Sequence, residues 1–459
     1  LLIVGRNVEA PDGRRAGGFA AHNLPPKWFD KSPARSFRDN AEDLLASIRS
    51  AQSAYLDGGR KPRPVFDVWR DAYAEWARRG PGLGLDGLTA AFGSSLFERA
   101  LADAGGRVTG LDVVSMLRAD VLGIRPEAVH RGLTREHLLA WASRPAPEAI
   151  AVRHTVGLLD PIVAADVSAD GWLRDGLPQT LEECVPRHGL THFKLKVGGQ
   201  VGADVDRLAR IAATLDRLVA EPYVVTLDGN EQYKAMTDFA ALVAAIRATP
   251  ALARLWRSTA FIEQPLDRAI ALDPAATEGL EALGRQVPII IDESDGDLEA
   301  FPRAVALGYR GVSTKNCKGI VKSFLNRTLV EALNGERPER ARLFMSAEDL
   351  TNVPVVPLQQ DLATVRALGI THVERNGHHY VRGLAHCSRA ERAAALRHHG
   401  DLYLGDEREA WLRIEAGRLR VGSLATAGYG VAFDPDLASM IPLVRWTFDS
   451  LTAGPGETG

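Results

Sequence analysis

Six residues define the chemistry open to this 459-residue sequence. Three are acids, Asp228, Glu263 and Asp292, each at the end of a short apolar run: "TLDGN", "FIEQP" and "IIIDES". Three are lysines: Lys194 and Lys196 in "THFKLKVGG", and Lys315 in "VSTKNCKG". One strand-end carboxylate commonly caps a helix or faces water. Three that converge repel and raise one another's pKa unless a cation joins them. A hard divalent ion such as Mg2+ takes oxygen ligands in a near-octahedral shell. Three monodentate carboxylates leave about three positions of that shell open, enough for both oxygens of a substrate carboxylate.

The lysines complete this chemistry. Lys194 and Lys196 alternate with Phe193, Leu195 and Val197, so a strand sends both ammonium groups to one face. Beside Lys194 and a metal, Lys196 should fall below the ordinary lysine pKa of about 10.4. A neutral amine can take a proton from carbon. Lys194 can stay charged and stabilise negative charge on a substrate oxygen. Lys315 should approach from the opposite side. It is preferred to Lys318 because "GVST" runs straight into it, whereas Lys318 sits in the turn before Gly319.

These side chains need elements that bring them together. Eight runs between about residues 150 and 375 read as strands: "AIAVRHTVGL", "THFKLKV", "YVVTLDGN", "AFIEQP", "VPIIIDES", "GVSTKN", "RLFMSAED" and "ITHVERN". The stretches between them have helical spacing, as with Val205, Leu208, Ile211, Leu215 and Leu218. Alternation of this kind predicts an α/β fold, a TIM-type (β/α) barrel whose strand C-termini share one face. No GxGxxG motif follows the first strand, which argues against a doubly wound sheet. Residues 151–400 are expected to form the barrel. Residues 1–150 should form an N-terminal α+β capping domain with helices over 40–57, 66–79, 88–104 and 134–143. Residues 401–459, with a hairpin about Ala416-Gly417, should pack back on it.

Composition limits the partners. Hydrophobic residues make up 46% and charged residues 25%, with net charge −3. That balance gives no basic face for nucleic acid, and no apolar run approaches the ~20 residues that span a bilayer. Cys184, Cys317 and Cys387 form no CxxC pair, which suits a cytoplasmic protein. The sequence opens on Leu1 rather than Met, which leaves an upstream segment open.

In this order, "FKLKVGG", "TLDGN", "FIEQP", "IIIDES" and "VSTKNCKG" resemble the enolase superfamily over about residues 95–375. Within it they look like the muconate-lactonizing branch of the mandelate racemase/muconate lactonizing enzymes. The mandelate-racemase branch has a His–Asp pair where this chain has Lys315. The resemblance implies Mg2+ on Asp228, Glu263 and Asp292, with Lys196 and Lys315 as acid/base groups and Lys194 as electrostatic partner. It places Asn230 and Glu293 behind the metal ligands. It puts "GFAAHNLPPKWFDKSP", with Trp28, where the family has a mobile specificity loop. Glu348, at the end of the seventh run, could face the substrate or cap a helix. His372 and Glu374 both point inward if the eighth run is a strand; His378 and His379 are expected in a loop, at the surface or on substrate rather than on a metal, since no carboxylate accompanies them.

The implied reaction removes a proton α to a carboxylate through an enediolate. Dehydration, epimerisation or racemisation, and cycloisomerisation are then all open, with an acid sugar as a candidate substrate. The implied partner is a small carboxylate, and a homo-oligomer is expected. Two rivals are a non-catalytic, metal-binding member of the fold and a metal-assisted hydrolase. Loss of a base or ligand would mark the first, and none of the six is missing. Histidine ligands would mark the second, and the predicted set is all carboxylate.

Overall fold

Strand-forming runs with apolar residues on both faces dictate a sheet buried on both sides. In β4, Phe193 and Leu195 point outward and are fully buried, while Lys194 points inward and is equally buried. Burying a Phe or Leu contributes about 1.5–3 kcal/mol. The computed structural model describes residues 2–57, 62–220 and 222–448.

The chain is a mixed α/β protein. It opens with an antiparallel hairpin, β1 (Leu2–Glu9) and β2 (Arg15–His22). Three helices follow: α1 (Phe37–Asp57), α2 (Val65–Arg79) and α3 (Gly87–Thr109). Their shared core includes Phe29, Leu44, Ile48, Phe92 and Leu96. The strand β2 corrects the sequence reading, which placed residues from Gly18 onward in a loop. Its residues are small because β2 lies on α3: a Cβ at Gly18 would collide with the backbone of Ala100 and Ala104.

Eight parallel strands then form one curled sheet: β3 (Ala149–Val156), β4 (His192–Lys196), β5 (Val224–Asp228), β6 (Thr259–Glu263), β7 (Ile289–Ile291), β8 (Gly311–Thr314), β9 (Phe344–Ala347) and β10 (His372–Glu374). They lie in sequential order except that β10 pairs with β3. The ends of the sheet meet at one parallel bridge, Glu348 to Glu374.

The last described strands are β11 (Tyr403–Gly405), β12 (Ala410–Leu412) and β13 (Arg418–Arg420). A turn does form at Ala416-Gly417, both at positive φ. Its arms pair at one antiparallel bridge, Glu415 to Arg418, and then part: β12 pairs with β11, and β13 runs antiparallel to β3. Farther on, Tyr429 donates its backbone N–H to Asp103 of α3, and Asp434 pairs with Arg107 at 2.5 Å. Part of the expected 401–459 segment lies outside the described residues. Among the described residues, no single helix is long and apolar enough to cross a membrane.

Candidate active site

Strand register brings the acids together. Lys196 of β4 stands opposite Asp228 of β5, and Asp228 opposite Glu263 of β6. Asp292 follows β7, Lys315 follows β8, and Glu348 and Glu374 meet at the bridge. Local packing fixes these ends. Gly229 lets the chain pass Pro265, where any Cβ would collide. Asn230 then takes φ 47°, a left-handed conformation that Asn tolerates, and donates its N–H to Asp228 Oδ1 at 2.7 Å. After β4, Asp204 in the first turn of helix Val201–Leu218 accepts N–H bonds from Gly198, Gly199 and Gln200. The "KVGG" turn behind Lys196 is thereby held.

Lys194 lies at the centre. Its Nζ is 3.0 Å from Asp228, 3.0 Å from Glu263, 2.8 Å from Glu348 and 2.9 Å from Glu374. On one flank Lys196 Nζ donates to Asp228 Oδ2 at 2.5 Å and Asn230 Oδ1 at 3.2 Å. On the other, Lys315 Nζ is 2.5 Å from both Asp292 and Glu348. Lys318, set aside from sequence, is also here: it is buried and donates to Asp292 Oδ1 and to the carbonyls of Asp292 and Ser313, each at 2.7 Å. It braces Asp292.

The charges respond to this packing. Burial opposes the charged form of every group in the cluster. Asp228 nevertheless stays below the usual carboxylate range because Lys194 and Lys196 adjoin it. Lys194 and Lys315 hold Glu348 well below that range. The expectation for Lys196 is corrected: burial and Lys194 pull its pKa down, but contact with Asp228 outweighs them and leaves it raised. Glu263 and Glu374 go the other way, with raised pKa values. Glu263 is 0% exposed, and burial with Glu348 beside it pushes its pKa well up. Lys194 approaches at 3.0 Å, off the direction of a hydrogen bond, so neither Glu263 oxygen has a hydrogen-bond partner among the described residues. An orphaned, buried carboxylate beside other acids fits a hard cation. Glu263, Asp292 and Glu348 each offer an oxygen within 4.8 Å of the others. Asp228 joins that group through Lys194.

The segment after β2 covers this cluster. The Trp28 ring centroid is 4.8 Å from Lys315 Nζ. Lys31, not singled out from sequence, reaches Glu231 at 2.6 Å, Glu293 at 3.0 Å and Asn230 at 3.2 Å. Arg268, also missed, donates to the Trp28 and Phe29 carbonyls while pairing with Glu231. Glu293 therefore faces the covering segment, with burial and neighbouring Asp292 raising its pKa. On β10, His372 and Glu374 both point inward: His372 meets Arg153 at 2.7 Å, and Glu374 accepts from Thr155. All three cysteines are unpaired and buried.

Comparisons bear on this arrangement. Residues 177–332 match the family model described as enolase C-terminal domain-like. No curated protein matches the chain in sequence. Among solved structures, the dipeptide epimerase from Methylococcus capsulatus complexed with Mg ion is 18% identical, with TM-score 0.54 and 94% of each chain covered. The 3,6-anhydro-D-galactonate cycloisomerase from Zobellia galactanivorans is 16% identical, with TM-score 0.52 and 95% of this chain and 92% of that one covered. A mandelate racemase/muconate lactonizing enzyme from Roseiflexus sp. is 18% identical, with TM-score 0.51 and coverage of 94% and 93%. At these identities the likeness is one of fold. The chain carries an enolase C-terminal domain-like segment that holds Lys194, Lys196, Asp228, Glu263, Asp292 and Lys315, within a fold shared with these enzymes.

Proposed function

We propose that this chain is a Mg2+-dependent enzyme that moves a proton α to a carboxylate through an enediolate. The observation that carries the proposal is the pair Lys196 and Lys315, held on opposite flanks of one buried carboxylate cluster. Asp228, Glu263 and Asp292 are the proposed ligands, with Glu348 a further oxygen donor in contact with the same group. When bound, Mg2+ would supply Lewis-acid stabilisation of negative charge on the substrate carboxylate.

The residues of the chain do the rest. Asp228 keeps Lys196 protonated; once that carboxylate's charge is engaged elsewhere, its hold weakens and Lys196 can serve as a base. Lys315 stands ready on the far side to deliver or accept a proton. Lys194 remains an ammonium among four acids and opposes their repulsion. Trp28 and Lys31 cover the site and limit water.

Opposed lysines suit epimerisation or racemisation, and equally cycloisomerisation or dehydration with a suitable leaving group. The neighbours described as an epimerase and a cycloisomerase support the isomerase side. Assignment to the muconate-lactonizing branch rests on Lys315. The proposal includes a closed barrel at 151–400, a capping domain at 1–150 completed by 401–459, a homo-oligomeric state and a cytoplasmic location. A screen of carboxylates, dipeptides and acid sugars in D2O, scored for α-deuterium, tests it. Mg2+-dependent exchange with one class is expected; absence of exchange across these classes, with Mg2+ bound, would count against the chemistry.

A further inference from the structure

Alternation along β3 separates two environments. Thr155 points inward, to Glu374. His154 therefore points outward, toward the layer of helices. There it meets His378 and His379, which the sequence reading placed at the surface or on substrate. One ring nitrogen from each of these three lies within 4.8 Å of the others. His154 Nδ1 and His378 Nε2 are 3.2 Å apart. His188, at the end of helix Leu181–His188, sits with its ring centroid 5.1 Å from that of His378.

Two features of the cluster call for a ligand. His154 is 4% exposed, yet hydrogen bonding leaves much of the cluster unsatisfied. Among the described residues, His378 Nδ1, His379 Nδ1 and His188 Nε2 are buried without partners. Buried polar atoms in native proteins are usually paired. One pair already stands near ligand spacing: tetrahedral ligands at ~2.0–2.1 Å from a Zn2+ lie about 3.4 Å apart, and His154 Nδ1 and His378 Nε2 are 3.2 Å apart. Burial keeps these rings in the neutral form that binds metals, with His188 and His379 held down at about 4. Access exists as well. His154 and His379 line a cavity of about 220 Å³, and His188 and His378 line another of about 450 Å³.

We propose that His154, His378 and His379 form a structural site for a divalent first-row transition ion, with the His188 ring packed against it. Imidazole suits Zn2+, Co2+, Ni2+ and Cu2+ rather than Mg2+. The ion would tie the short helix Gly377–Tyr380 to the end of β3. Helix Gly377–Tyr380 begins three residues after Glu374, so the ion would also steady one acid around Lys194.

The test uses untagged full-length protein, stripped with EDTA and saturated with Mg2+ so that the carboxylate cluster is filled. One equivalent of Co2+ should produce the intense visible absorption of tetrahedral, nitrogen-ligated cobalt, and Zn2+ should abolish it by competition. His379→Gln should weaken Zn2+ binding by at least ~100-fold, beyond the ~10–100-fold that outer-shell groups cost. Glu263→Gln should leave the band intact. Because a variant can fail to fold, wild-type Tm with and without Zn2+ at constant Mg2+ is a second measure, and a rise is expected. A wild-type protein with neither band nor Tm shift would overturn the site. So would a band that survives His379→Gln and disappears in Glu263→Gln.

Discussion

The inner and outer faces of the same sheet solve the burial of polar groups in opposite ways. Inside, the ammonium groups and the acids Asp228, Asp292 and Glu348 are held charged by contact with one another, and Lys194 touches four acids. Outside, four histidines stay neutral, and His188, His378 and His379 each leave a ring nitrogen unpaired. The inner cluster offers hard oxygen donors and movable protons. The outer one offers borderline nitrogen donors and, at neutral pH, no charge. One strand, β3, serves both through adjacent residues, His154 and Thr155. Position on the sheet, more than residue type, decides what a polar side chain can do here.

The largest break in this comparison should come from the inner acids. Asp228→Asn is expected to abolish turnover and weaken Mg2+ binding in calorimetry. Glu348→Gln should cost less affinity. Equal Mg2+ affinity in Asp228→Asn and wild type would remove Asp228 from the ligand set and favour Glu263, Asp292 and Glu348, the three that lie closest.

Next comes the central ammonium. Lys194→Met leaves four acids without their shared cation, and breaking a buried ion pair costs about 3–5 kcal/mol. Chemical unfolding without metal should reveal a loss of that size. Added Mg2+ should raise Tm more in the variant than in wild type, since it replaces part of the lost charge. An equal Tm rise in both proteins would mean that Lys194 and the metal do not share oxygens.

A smaller effect separates the two faces by pH. Burial holds His188 and His379 at about 4, below the ordinary 6.5. Below 6.5 the unfolded chain therefore binds protons that the folded chain does not. Stability from these groups is complete above 6.5, falls as pH drops, and stops falling below about 4. His379→Gln should flatten the slope of unfolding free energy over that window. An unchanged slope would mean that His379 is protonated in the folded chain.

Much of the inner site was legible because it repeats with the strand period. Lys194 and Lys196 share a face by alternation, and Asp228, Glu263 and Asp292 each close an apolar run. The brace from Lys318 was not legible, since it depends on how the turn before Gly319 folds back under Asp292. Lys31 and Arg268 come from segments far apart in sequence and meet through Glu231. β2 was missed because contact with α3 demands small residues there, and glycine and alanine carry little strand signal. The histidine cluster joins residues 154, 188, 378 and 379, a spacing that matches no local ligand pattern. The long-range joins that made sequence reading incomplete are those formed by tertiary packing.

The central claim is that Lys196 and Lys315 are the acid/base groups on two sides of one substrate. With the substrate found by the D2O screen, α-proton exchange and overall turnover should be measured in Lys196→Ala and Lys315→Ala. Each loss should slow turnover by at least ~10²–10⁴-fold, the usual worth of a general acid or base. The two should differ in kind: one variant loses exchange, while the other retains exchange and loses the later step. Which does which reports the face that bears the α-proton. Exchange at the wild-type rate in both variants would contradict the claim.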